Sequence, residues 1–282
     1  MLFFVIMGAL IGAFFVFFLF LVVSAFAPDL SKVITPVVIS VLKDVAGPVA
    51  AGFGGAIAGA VCSYLFQRKI EREKETKADI SAIHKSSIHL MMKLNELYSI
   101  KKHNIYPSLE HKLRFLDISK IPSAPNITDR VDPRVIDVAL SVKDALTIDT
   151  IYLAEARYRA CFENFINRNS GLDEYRASVK QSGLGREGGH TIKELYRVVG
   201  EGQLVALHMM TEQMIEVLDE TLQSLNQAVT LLNDMVAIKY KGQDVVGLRF
   251  DITENEKYLV KSPPPHFNVE SLVAFLRRFD EP

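Results

Sequence analysis

The chain has 282 residues, a net charge of −1 and a pI near 6.7. That balance excludes a general nucleic-acid binder, which needs a clustered excess of Lys and Arg to neutralise phosphates. Two cysteines, Cys62 and Cys161, are too few for a disulfide framework and read as reduced thiols.

Residues 1–28 and 45–66 contain no charged side chain. At ~1.5 Å of helical rise per residue, each run is long enough to cross a ~30 Å hydrocarbon core once. The first run is rich in Phe. No basic segment precedes it, and it exceeds the apolar length of a signal peptide, so it reads as an uncleaved anchor. The second run is rich in small residues: Gly47, Ala51, Gly55 and Gly59 recur every four positions on one helical face. Gly8 and Gly12 repeat that spacing in the first run. Lipid tails give helices no hydrophobic reason to associate, so close approach at small residues must do it. The small faces therefore predict membrane-helix packing, as a hairpin or as a seam between copies.

The connection 29–44 carries no charge bias and is expected outside. Arg68, Lys69 and Arg72 follow the second run as a basic collar for anionic head groups. Basic residues beside a span mark its inner side. The expectation is a multi-pass inner (plasma) membrane protein whose N-terminus and C-terminal body are cytoplasmic.

From 67 to 118 a helical stalk is predicted, with Ile80, Ile83, Ile88, Met91, Leu94, Leu97 and Tyr98 at helical spacing. Residues 119–132, with their prolines and turn formers, read as a linker. The rest, 133–282, reads as a helical domain with an irregular tail. Asp132-Pro133 caps and opens a helix to about residue 169, with Val135, Val138, Ala139, Val142, Leu146, Leu153, Ala156, Phe162 and Phe165 as its core stripe. A weaker helix follows over 171–182. Another long helix ends near Tyr240, with Leu204, Leu207, Met214, Leu218, Leu222, Leu225, Leu232 and Val236 on one face. Residues 244–252 suggest one short strand, and 268–279 a small amphipathic helix. The predicted fold class is mainly α: two N-terminal transmembrane helices followed by a cytoplasmic bundle with long helices.

Little here points to catalysis. Gly183, Gly185 and Gly188 are spaced like a dinucleotide fingerprint, but nothing strand-like precedes them, so the segment reads as a loop. Arg186 and His190 in and beside that loop are candidate partner contacts. None of the seven histidines has another four residues away, the spacing of a helix-borne zinc pair. Glu155, Arg159 and Glu163 are expected to form an ion-pair ladder along one face. No catalytic, metal or cofactor-binding residue is assigned. The expected partners are the lipid bilayer, further copies of the chain and a cytoplasmic protein.

The layout of a Phe-rich helix, a Gly/Ala helix and a helical body resembles the two-helix membrane effectors of bacterial antiphage systems, retron-associated ones included. That resemblance implies a membrane-perturbing effector in antiviral defence, released or assembled by a trigger. The residues alone equally allow a membrane-tethered scaffold subunit or, with less support, a membrane-bound enzyme.

Overall fold

In a computed structural model the described residues are 47–184, 189–241 and 256–280, with Phe17, Phe18 and Asp44 besides. Among them helix is the regular structure and no strand occurs. In chain order the helices are α1 (Gly47–Ile100), α2 (Arg114–Asp117), α3 (Pro133–Ser141), α4 (Ala145–Gln181), α5 (Ile192–Val199), α6 (Glu201–Lys239), α7 (Glu256–Leu259) and α8 (Val269–Arg277). A π-helical turn, Lys101–Ile105, and a 3₁₀ turn, Tyr106–Ser108, carry the chain out of α1.

The chain divides into two compact units, Met1–Lys74 and Glu75–Pro282, and α1 contributes to both. In the first, the side chains of α1 from Gly52 to Phe66 are almost all exposed. The second holds the core. Leu204, Leu207, Met214, Leu218, Leu222, Leu225, Leu232 and Val236 of α6 are buried, as the apolar spacing predicts. Most of them join Leu90, Leu94 and Leu97 of α1, Val135 and Val138 of α3, and Phe162 and Phe165 of α4 in one cluster. Each such side chain contributes roughly 1.5–3 kcal/mol of transfer free energy. A smaller cluster joins Leu204 and Leu207 to Phe115, Leu172, Tyr196 and the α8 residues Leu272 and Leu276.

The transmembrane part of the expected fold class is overturned. No helix among the described residues is long and apolar enough to cross a membrane. Lack of charge is not apolarity: glycine and alanine dominate 47–66, and Gln67, Arg68 and Lys69 follow at once. The inner-membrane placement falls with it, since basic flanks orient a span only where there is one. The first predicted span lies outside the described residues except for Phe17 and Phe18, which are exposed and helical. The external connection, Asp44 apart, and the short strand at 244–252 also lie outside them.

The helix expected over 133–169 is two helices. Asp132 caps α3, its side chain accepting from the Arg134 amide at 2.9 Å. The chain then turns at Lys143, whose φ of 59° is left-handed. That conformation crowds Cβ against backbone and is rare outside glycine. Asp144 restarts the helix by accepting from the Thr147 amide (3.0 Å) and hydroxyl (2.5 Å). From there α4 runs unbroken to Gln181 and absorbs the weaker helix predicted over 171–182. Thr191 and Glu194 form a reciprocal capping box on α5. Gly200, at φ 83°, ends α5 and opens α6, a conformation glycine adopts at no steric cost.

Asp144 is the cap that separates α3 from α4. Asp144→Ala should lower stability by about 1 kcal/mol and Tm by roughly 2–4 °C, followed by circular dichroism on heating.

Candidate functional site

Two features of the body and one of α1 bear on function. In the body, cations sit where an apolar helix stripe would put a leucine. Lys93 of α1 and Lys101, at the start of the π-helical turn that follows it, continue the spacing of Leu90, Leu94 and Leu97, and both are buried. Lys93 Nζ donates to Glu155 Oε1 and to the Asp129 carbonyl, both at 2.7 Å, and stands 5.2 Å from the Tyr158 ring centroid. Lys101 Nζ lies 2.6 Å from Asp219 Oδ1 and donates to the Val260 carbonyl at 2.7 Å. Asp219 Oδ2 accepts from the Ser262 amide at 2.6 Å.

Arg114 of α2 forks onto Glu212 of α6, Nε to Oε1 at 2.9 Å and the second arm to Oε2. Its remaining arm donates to the carbonyls of Leu109 (3.1 Å) and Pro263 (3.0 Å). Arg168 of α4 is fully buried and donates to the carbonyls of Ser119, Phe115 and Ile118 and to the Thr211 hydroxyl. Burial lowers its pKa to about 10, with Arg176 adding repulsion. Each cation thus takes up main-chain oxygen from a non-helical segment. The predicted linker is fastened in the same manner: Asn169 brackets Ile121 through both its amide and its carbonyl, and Glu96 accepts from the Asn126 backbone and side chain.

A groove of about 510 Å³ runs between α6 and the segment 261–269, lined by Arg114, His208, Met209, Glu212, Pro263 and Val269 among others. His208 is buried edge-on to Phe115, with ring centroids 5.4 Å apart, and its Nδ1 lies 3.9 Å from Glu212 Oε1. It also hydrogen-bonds the Phe267 main chain. Burial lowers its pKa, the charge of Glu212 opposes that, and Arg114 adds to the lowering. Since Glu212 is forked by Arg114, it is not a free base for His208 to work with. Cys161 is buried on α4, and burial pushes its thiol well above the ordinary value, which makes it inert. No group of three metal-ligating side chains occurs among the described residues.

The expected ladder along α4 does not form as drawn. The Glu155 carboxylate is taken by Lys93, and Arg159 Nε reaches only the Glu155 carbonyl, at 3.4 Å. Arg186 lies outside the described residues, as do Gly8 and Gly12. His190 is half-buried beside the Thr191 cap. Gly47 and Ala51 are helical. Gly55 and Gly59 are exposed, and a Cβ at either would meet nothing within 4 Å. Arg68, Lys69 and Arg72 are exposed, with Lys69 3.9 Å from Glu73 one turn on.

The third feature is the exposed apolar surface of α1. Phe53, Val61, Tyr64, Leu65 and Phe66 are 42–66% exposed. Phe53, Ile57, Val61 and Leu65 follow one another at four-residue intervals on one face. Gly55, Gly59, Cys62 and Phe66, at steps of four, three and four, lie on the other side of the helix, since two residues turn it by about 200°. No protein-family model, curated protein or solved structure matches the chain.

Removing one member of a buried ion pair leaves the other charge stranded. Lys101→Met should cost about 3–5 kcal/mol in urea unfolding, and adding Asp219→Asn should recover part of that loss. His208 gives a pH dependence. Its folded-state pKa lies below the free value of 6.5, so the unfolded chain takes the proton first as pH falls. Stability is therefore intact above 6.5 and declines below it, by at most about 1.4 kcal/mol per pH unit. The urea midpoint should fall between pH 7.5 and 5.5 in the native chain, and fall less in His208→Gln.

Proposed function

We propose that the chain is a non-catalytic assembly protein: copies come together through the exposed apolar stretch of α1, and the helical body engages a protein partner. The observation that carries this reading is the exposure of Phe53, Val61, Tyr64, Leu65 and Phe66 on a single helix. Contiguous exposed apolar surface marks a place where a macromolecule belongs, because water gains on its removal. The small residues on the other side of α1 favour a second helix as occupant there. With open space over Gly55 and Gly59, another backbone can approach closely while Phe66 fills the gap beside them.

Two observations support a binding role over a catalytic one. The buried charges of the body are paired with one another and with main-chain oxygen, and the carboxylate nearest His208 is already forked by Arg114. Its rim, Met209 with Pro263 to Pro265 and Val269, suits apolar contact more than chemistry.

Cys62 is exposed on the small-residue face and Cys161 is buried, so the chain carries its own probe. A short bis-maleimide should link copies through Cys62, and light scattering should show an oligomer. Gly55→Leu with Gly59→Leu should reduce both signals and Phe66→Glu should abolish the linking. A chain that stays monomeric and unlinked would sink the assembly reading.

A further inference from the structure

The sequence periodicity assigns Val142, Leu146, Leu153 and Ala156 to the core, and the structure puts all four at the surface. Leu146 is 58% exposed, Leu153 43% and Val142 37%, with Tyr152 at 61% and Leu140 at 60% beside them. The α4 residues among them are not scattered. Leu146, Asp149, Leu153, Ala156, Ala160 and Glu163 follow one another at intervals of three and four, which is a seam down one side of a helix. The opposite side of α4, with Ile151, Ala154, Tyr158, Phe162 and Phe165, is the one buried in the body. α4 is therefore apolar on two faces, and only one has a neighbour.

We infer that this outer face of α4 pairs antiparallel with the same face of a second copy. The charges decide the partner and its direction. Along the seam they run Lys143, Asp149, Arg159, Glu163, alternating in sign, and all four are exposed. Lys143, Asp149 and Glu163 make no ion pair among the described residues. A two-fold axis near residue 154 sets Asp149 of each copy beside Arg159 of the other, and Lys143 beside Glu163. A parallel arrangement sets each charge on itself. Side-chain size agrees with the charges. About the same axis Leu153 of one copy meets Ala156 of its mate, and Leu146 comes beside Ala160, large against small at every step. A two-fold contact is isologous, so each complementary pair forms twice.

This pairing extends the assembly reading but does not depend on α1, and the test separates the two. Phe66→Glu removes the α1 contact, so the α4 pair is measured in that background by sedimentation equilibrium of the 282-residue chain. A dimer is expected. Leu153→Asp should weaken it roughly 30-fold or more, as for a central interface residue. Asp149→Arg and Arg159→Asp should each weaken it, and the double exchange should restore it, with circular dichroism unchanged throughout. A Phe66→Glu chain that is monomeric, or a dimer that ignores Leu153→Asp, or a double exchange that restores nothing, overturns the α4 pairing. If the native chain is oligomeric while Phe66→Glu alone is monomeric, the α1 reading stands and the α4 inference fails.

Discussion

The body of this protein depends on buried cations that hold irregular chain against regular helix. Lys93, Lys101, Arg114 and Arg168 each face at least one carbonyl of a segment with no ladder of its own. A buried carbonyl without a donor costs about 1–3 kcal/mol, and so does each one left behind when a loop docks onto a helix bundle. A long cationic side chain solves this, reaching past its own helix to supply several donors at once. Lys and Arg themselves are dear to bury, so three of the four are also paired with Glu155, Asp219 or Glu212. Arg168 is held by neutral oxygens, and burial together with the nearby charge of Arg176 lowers its pKa.

From these clamps the rest of the architecture follows. The segments 109–113, 118–132 and 260–267 are connectors outside the helices, yet the clamps tie them to α4 and α6. Held down, they close the two apolar clusters. Released, they would leave Ile118, Ile121 and Leu272 facing water. The clamps also explain why the groove beside α6 reads as a binding or structural feature. Its charged groups Arg114, Glu212 and Asp219 are paired with one another, with Lys101 or with the segment that passes over them.

How much of this is visible in the sequence depends on whether local or distant forces decide. The α6 stripe is visible, since eight apolar residues at helical spacing have no better option than burial. The Asp132 cap is visible too, because its chemistry is contained within a few residues. The break at Lys143 is not: Ser141-Val-Lys-Asp144 holds neither Gly nor Pro, and the apolar spacing runs straight through it. Nor can periodicity say which apolar face of α4 is inner, since Leu146 and Phe162 are equivalent to a pattern that knows only spacing. The clamps leave a faint trace, in that Lys93 and Lys101 fall in register with Leu90, Leu94 and Leu97, and a lysine in register is a buried lysine in search of a partner. The partner itself, Asp219, lies far away along the chain. The membrane expectation failed for another reason: it counted missing charges, whereas crossing lipid requires apolar side chains, and glycine has none.

The two outward apolar surfaces differ in what they can specify. The α1 stretch from Gly52 to Phe66 has no charge along it, so contact there gains from burial but says little about register or direction. The α4 seam carries Asp149 and Glu163 among its leucines and alanines. A charge in a seam weakens the pair, because it must be desolvated, yet it penalises every register in which it lacks its counter-ion. A surface built only for strength would have leucine at 149. One that keeps aspartate there, with an arginine ten residues further on, is arranged for a single geometry that can also come apart.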